Sequence, residues 1–329
     1  MLSRIFGQGN INQGSISKII SDQLNYFRKF ANNHEGLINV CTHLSIKQNQ
    51  IFHGTKFPIC LIAESLKDFR DDHRINKLFG QLLAYLDESF AKNGFNYFDE
   101  PYLPDDLDTA AILTRLLGKE VKKIKNQYNA IIKRNKISIG IVPTWLDALK
   151  PEQWPNGNFP FHMDVLLNYW LTECELGRAI PKKVIISTIN KLKLRNFFYY
   201  PALYTPYLYL KLLRQFPLNS EIIIHPLLDI IERWNKNNPK FLAHSSECPF
   251  PEVKKLIKTQ KVPSILDLAF TYAINRHFLK DQGRISEIYR QDSLKKLSWD
   301  VPLYWGMAFV PFFNEPVCRA ITLSAFANK

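Results

Sequence analysis

The chain has 329 residues, 46% hydrophobic and 13% aromatic, enough to bury a core in one large domain or two small ones. Its 43 basic against 30 acidic side chains give a formal charge of +13, which favours anionic partners, but no aromatic-rich RNA-binding motif or zinc-finger spacing accompanies the charge, so nucleic acid is not the expected partner. No stretch reaches the ~18 uninterrupted apolar residues of a membrane span, and five widely spaced cysteines (Cys41, Cys60, Cys174, Cys248, Cys318) without a Cys-x-x-Cys pair read as free thiols in a reducing compartment.

The opening residues carry no apolar run before a cleavage site. Residues 1–14 are expected to be loose and 15–329 to form one domain, cytoplasmic or at most peripheral to an anionic membrane. "SISKIISDQLNYFRKFANN" places Ile16, Ile19, Ile20, Leu24 and Phe27 on one helical stripe, with Ser15 or Ser17 as its cap. "DFRDDHR" (68–74) has an Asp pair beside His73 and reads as a solvated loop rather than a magnesium site. "RINKLFGQLLAYLDESFAKNG" is a second amphipathic helix, ended by Gly94. Lys122, Lys123, Lys125, Lys133 and Arg134 follow on a third helix, a solvated face or a docking surface for an anionic lipid, a diphosphate or RNA. "KISIGIV" (136–142) is strand or irregular, and "SEIIIHPLLDIIERWNKN" and "SILDLAFTYAINRHFLKD" are again helical.

A weak repeat links these elements. Six apolar, small-residue-rich helices, each with a Pro- or aromatic-bearing lead-in, begin at 57, 106, 162, 204, 265 and 317. Each interval holds one further helix. The pattern predicts an all-α fold, an α/α toroid of about six helical hairpins, with these six as the inner ring and their N-termini at one mouth. An open α-solenoid is the alternative.

The sharpest local feature is "YLPDDLDTAAILTRLLGK" (102–119), with Asp105, Asp106 and Asp108 at the start of the second inner helix. One carboxylate there caps a helix and complements its dipole, worth roughly 1 kcal/mol. Three exceed what a cap needs. Crowding and burial raise the pKa of one of them, which makes a proton donor at neutral pH. Asp105 and Asp108 share a face if the helix has already begun at Asp105. Cap and acid cluster are both open on these residues alone.

The run Asp105-Asp106-Leu107-Asp108-Thr109-Ala110 resembles the Asp-x-Asp-Asp-Thr-Ala signature of squalene–hopene cyclases and class II terpene cyclases, within the prenyltransferase-like toroids. Fainter likeness extends over about residues 36–328, in "IVPTWLDALKPEQWPNG", "HMDVLLNYWL", "FFYYPALYTPYLYL" and "LYWGMAFVPFFNEPVCRAITLSAFA". The resemblance implies a toroid that protonates an isoprenoid-like substrate. In that family the second of the three Asp is the donor, and the matching residue here is Leu107. Asp105 and Asp108 match the supporting acids. Either Asp106 or Asp108 has taken over the proton, or cyclisation is lost. The length suits one toroid, where triterpene cyclases have two. The Asp-x-Cys pair of the zinc site in protein prenyltransferase β subunits is absent.

Further residues are expected around the same space. His162, before Asp164 at the next inner helix, is a candidate to orient or relay the proton. Trp145, Trp170, Tyr199, Tyr200, Tyr204, Trp305, Phe309 and Phe313 are candidate aromatic walls, since ring faces stabilise cations by about 0.5–2 kcal/mol each. No phosphate loop, Rossmann glycine pattern, nucleophile elbow or His-Glu-x-x-His motif occurs. Three functions are compatible with the residues: acid-initiated cyclisation of an apolar isoprenoid-like ligand, a lipid- or partner-binding toroid that has lost the donor, and a glycan-processing α/α barrel. The acids cluster in one loop with no second carboxylate partner, which disfavours the last. The first needs no redox cofactor and no metal, magnesium entering only with a diphosphate on the substrate.

Overall fold

The computed structural model describes residues 13–41, 43–47, 50–96, 104–147, 162–192, 204–213, 302–305, 311–313 and 315–327. In chain order these form α1 (Gln13–Arg28), α2 (His34–Cys41), β1 (His43–Lys47), β2 (Gln50–Gly54), α3 (Lys56–Leu66), α4 (His73–Asn93), β3 (Asp105–Asp106) and α5 (Leu107–Leu117). There follow α6 (Lys122–Asn135), β4 (Trp145–Leu146), α7 (Met163–Glu175), α8 (Lys182–Leu192), α9 (Tyr204–Leu213), β5 (Pro302–Trp305), β6 (Pro311–Phe313) and α10 (Glu315–Ala327). The strands make three separate antiparallel pairs, β1 with β2, β3 with β4 and β5 with β6.

Two kinds of helix appear, and their sequences say why. All eleven residues of α5 are buried, as are all but Glu64 in α3 and all but the last two in α7. A helix apolar on every side must be covered on every side. Along α4, by contrast, only Ile75, Leu78, Phe79, Leu82, Leu86, Ser89 and Phe90 are buried, and along α6 only Ile124, Tyr128, Ile131 and Ile132. These are one-faced helices laid against the others.

The covered helices pack in succession: α10 against α3, α3 against α5, α5 against α7, α7 against α9. They coincide with the predicted segments from 317, 57, 106, 162 and 204. The segment from 265 lies outside the described residues, as do the helix expected from 220 and residues 1–12. Outside this inner ring α4 packs on α3, α6 on α5 and α1 on α10. The chain is an all-α, α/α toroid.

One local expectation changes and two gain detail. α1 begins at Gln13, so Ser15 and Ser17 lie inside the helix and do not cap it. Residues 136–142 form a short irregular loop with a bridge between Ser138 and Ile141, because Gly140 turns the chain at φ 75°. In the 68–74 stretch Asp72 is the cap of α4, accepting from the N–H groups of Arg74 and Ile75, and pairs with Arg28 at 2.5 Å. Gly94 ends α4 at φ 58°, as expected. Among the described residues no helix is long and apolar enough to cross a membrane.

Candidate active site

The three acids of 105–108 occupy three different backbone settings. Asp105 and Asp106 form β3, paired with Leu146 and Trp145 of β4. Asp106 is the cap of α5, its Oδ1 accepting the Thr109 N–H at 2.8 Å. Asp108 lies in the first turn. Because the helix starts only at Leu107, the face-sharing of Asp105 and Asp108 that an earlier start implied does not arise. Leu107 is fully buried.

A strap of four residues holds this arrangement. Thr144 O accepts the Leu107 N–H at 2.8 Å, and Thr144 Oγ1 accepts the His162 N–H at 3.2 Å. Trp145 and Leu146 supply β4. Asp147 then clamps to the end of α6: its carboxylate accepts from Arg134 and Asn135, and its N–H donates to Asn135 Oδ1 at 2.8 Å.

Burial decides the charge states. Asp106 is 4% exposed, and its Oδ2 has no hydrogen-bond partner among the described residues. Desolvation pushes its carboxyl up to about 8; the capping bond from Thr109 opposes this and the charge of Asp108 adds to it. Asp164, in the first turn of α7, is 1% exposed, and its Oδ2 likewise lacks a partner. Desolvation, with Asp108 next, pushes it up to about 8 as well. Asp105 is also raised by burial, against the pull of Lys56. Lys56, fully buried at the start of α3, donates to Gly94 O at 2.9 Å. His162, before α7, is driven down to about 4 by desolvation, so it is neutral at pH 7.

Beneath the acids lies a buried polar belt. Asn168 of α7 donates from Nδ2 to Asp108 Oδ1 at 2.7 Å. Arg115 of α5 fixes the orientation of that amide by donating from Nη2 to Asn168 Oδ1 at 3.0 Å. Its Nη1 donates to Asn168 O at 2.8 Å and Thr172 Oγ1 at 2.9 Å, and its Nε to Glu64 of α3 at 2.7 Å. Burial pushes the Glu64 carboxyl up, but Arg115 outweighs this and holds it below its usual range. The belt joins α3, α5 and α7 at matching distances from their starts, and Tyr204 at the start of α9 feels Asp108 and bonds Asn168. These four helices therefore run parallel, heads together.

Of the expected aromatic walls, Tyr204 is buried at that head and Trp145 is half-buried in β4, opposite Asp106. Trp170 is buried too, with its Nε1 donating to Gly140 O at 2.7 Å, a contact with the outer loop beside Ile180 and Val184. Trp305 and Phe313 fall on β5 and β6. Tyr199, Tyr200 and Phe309 lie outside the described residues. Among the described residues no group of three or more His, Cys, Asp or Glu side chains is placed to hold a metal ion. Sequence reasoning treated Asp164 only as the neighbour of His162 and passed over Glu64, Arg115 and Asn168. The available signal was a charged or amide residue inside an otherwise apolar helix, which must find a buried partner.

No family model and no curated protein sequence matches the chain. Its fold is similar to that of the ligand-free type II terpene cyclase MstE from Scytonema, at 11% identity over 97% of this chain and 98% of that one, with a TM-score of 0.59. An arginine-to-alanine variant of MstE, in complex with its substrate geranylgeranyl dihydroxybenzoate, matches at 11% identity over 95% and 97%, with a TM-score of 0.58. An aspartate-to-alanine variant, in complex with its product merosterolic acid A, matches at 10% identity over 96% and 98%, with a TM-score of 0.53. At this identity the likeness is one of fold.

Proposed function

We propose that the protein is a terpene cyclase-like enzyme that starts cyclisation of an apolar, isoprenoid-like substrate by protonating an alkene or epoxide. The proton source is the acid cluster at the heads of α5 and α7, with Asp106 and Asp108 at its centre, Asp164 beside them, and Asp105 and neutral His162 in support. The observation that carries this reading is the pair of buried carboxyl groups, Asp106 and Asp164, each with an unpartnered Oδ2 and pushed up by desolvation to about 8, on a fold similar to that of a type II terpene cyclase. Proton donation of this kind contributes about 10²–10⁴-fold to rate. Protonation needs no redox cofactor, and magnesium enters only with a diphosphate on the substrate. Aromatic groups such as Trp145 and Tyr204 are the expected shield for the cation.

The test is turnover of three linear isoprenoids: geranylgeranyl dihydroxybenzoate, geranylgeranyl diphosphate and squalene. The wild-type protein should cyclise at least one, and the double variant Asp106→Asn/Asp164→Asn should lose about 10²-fold or more in rate with its circular dichroism intact. A second reading has one observation in its favour, the apolar Leu107 buried at the start of α5. On that reading the toroid binds an isoprenoid without converting it. Tight binding with no product would establish it instead, and a double variant as fast as wild type would refute Asp106 and Asp164 as the proton source.

A further inference from the structure

The acid cluster spans two helices, and its members are not equivalent. Asp106 commits Oδ1 to the Thr109 N–H as the cap of α5, a bond that favours its charged form. Asp108 commits Oδ1 to the Asn168 amide, whose orientation is dictated by Arg115. Asp164, Asn168 and Thr172 succeed one another at four-residue intervals, so they share one stripe of α7. That stripe faces α5: Asn168 reaches Asp108, and Thr172 Oγ1 donates to Ala111 O at 3.0 Å. Asp164 stands one turn closer to the head of α7, where Asp108 is the strongest charge acting on it. It is 1% exposed; its carboxyl accepts backbone N–H bonds from Val165 and from its own residue, and its Oδ2, like that of Asp106, meets no hydrogen-bonding atom among the described residues.

We propose that Asp164 delivers the proton, paired across the α5–α7 contact with Asp108 as the charged member. This rests on the cyclase reading above and names its donor. Two buried carboxylates side by side do not both ionise. The one held by the Asn168 side-chain amide, itself oriented by Arg115, carries the charge, and the one with an unpartnered Oδ2 keeps the proton. The groups around Asp164 reinforce this division. Asp108 acts on it from α5, His162 precedes it and is neutral, Tyr204 lies at the head of α9, and Arg115 is two turns down the belt. In the step itself the Asp164 O–H bond breaks, and the hydrogen forms a C–H bond using the π pair of a substrate alkene. The resulting cation is consumed by the next double bond as the ring closes. A carbon-bound proton is finally lost to water, and Asp164 regains one from water. The net change is an isomerisation, with nothing oxidised or reduced.

The experiment compares Asp164→Asn, Asp164→Glu, Asp106→Asn and Asp108→Asn in the full chain, on the three isoprenoids named above. Infrared difference spectra of the protonated carboxyl band at pH 7 accompany the rates. Asp164→Asn should lose about 10²-fold or more in kcat with unchanged circular dichroism, and Asp164→Glu should recover part of that loss. Asp106→Asn, which keeps the cap, should lose less in kcat than Asp164→Asn. Asp164→Asn should also remove a carboxyl band at pH 7. In Asp108→Asn the Asp164 band should vanish at lower pH than in wild type. If Asp106→Asn abolishes turnover and Asp164→Asn does not, the donor assignment is overturned and the protonation reading stands. If Asp164→Asn removes no carboxyl band, the assignment is also overturned. A wild-type protein that converts none of the three substrates ends both.

Discussion

Replacing Arg115 with methionine keeps an unbranched apolar stem and removes the guanidinium that joins three inner helices. Glu64, bonded to it at 2.5–2.7 Å, is then left in the ring without its main partner. Breaking a buried pair from one side costs about 3–5 kcal/mol. The Glu64 share has a ceiling, because protonating a carboxyl of ordinary pKa 4.5 at pH 7 costs about 3.4 kcal/mol. Lys211 and Lys67 also favour its charge and reduce that share. The Asn168 carbonyl and amide oxygens lose donors as well, at about 1 kcal/mol each. A net loss of about 4 kcal/mol at pH 7 is expected, measured by urea unfolding. The Glu64→Gln/Arg115→Met pair should recover about 2 kcal/mol of it, since no uncompensated charge remains. Glu64 is held below its usual pKa, so its contribution is present above pH 4.5 and fades as pH falls further. The gap between wild type and Arg115→Met should therefore narrow in acid. A loss under about 1 kcal/mol, or a double variant no better than the sum of the singles, would refute the account of the belt as a desolvated ion pair.

Asp106 and Asp164 have folded pKa values near 8 against an ordinary 3.8, so the stability they contribute is present below about pH 4 and is lost as pH rises to about 8. Asp106→Asn and Asp164→Asn should each be more stable than wild type at pH 8.5, by thermal unfolding, and lose that advantage at pH 4. His162 acts in the opposite sense: depressed from 6.5 to about 4, its contribution is present above pH 6.5 and lost as pH falls through 4, so His162→Gln should flatten the acid limb of the same curve. Among the described cysteines, Cys41, Cys60 and Cys318 are buried, and burial pushes the thiols of Cys41 and Cys60 up. A thiol reagent should label half-buried Cys174 first and reach those three only with unfolding.

The inner ring was legible because apolarity on all sides is a property of composition, readable without knowing any partner. The segments from 57, 106, 162, 204 and 317 show it, and each became a covered helix. Gly94 was legible for the same local reason, as a stop whose conformation other residues resist. The start of α1 was not, because Ser15 and Ser17 are as able to sit inside a helix as to cap it. The acids were half legible. Their crowding was visible in the chain, but Asp164 joins them only through the packing of α7 on α5. The partnership of Glu64, Arg115 and Asn168 is likewise a fact of depth: three helices must start level before those side chains meet.

The strap at 144–147 has a consequence for how such a protein can change. One short backbone segment touches the head of α5, the residue before α7 and the end of α6. The two acid-bearing heads are thus tied through one residue, Thr144, whose carbonyl holds the head of α5 and whose hydroxyl holds the residue before α7. Residues along the lower walls can be exchanged, enlarging or narrowing the interior, without detuning the acids. Chemistry and shape can then change separately, and the strap is a place where a single substitution would disturb both.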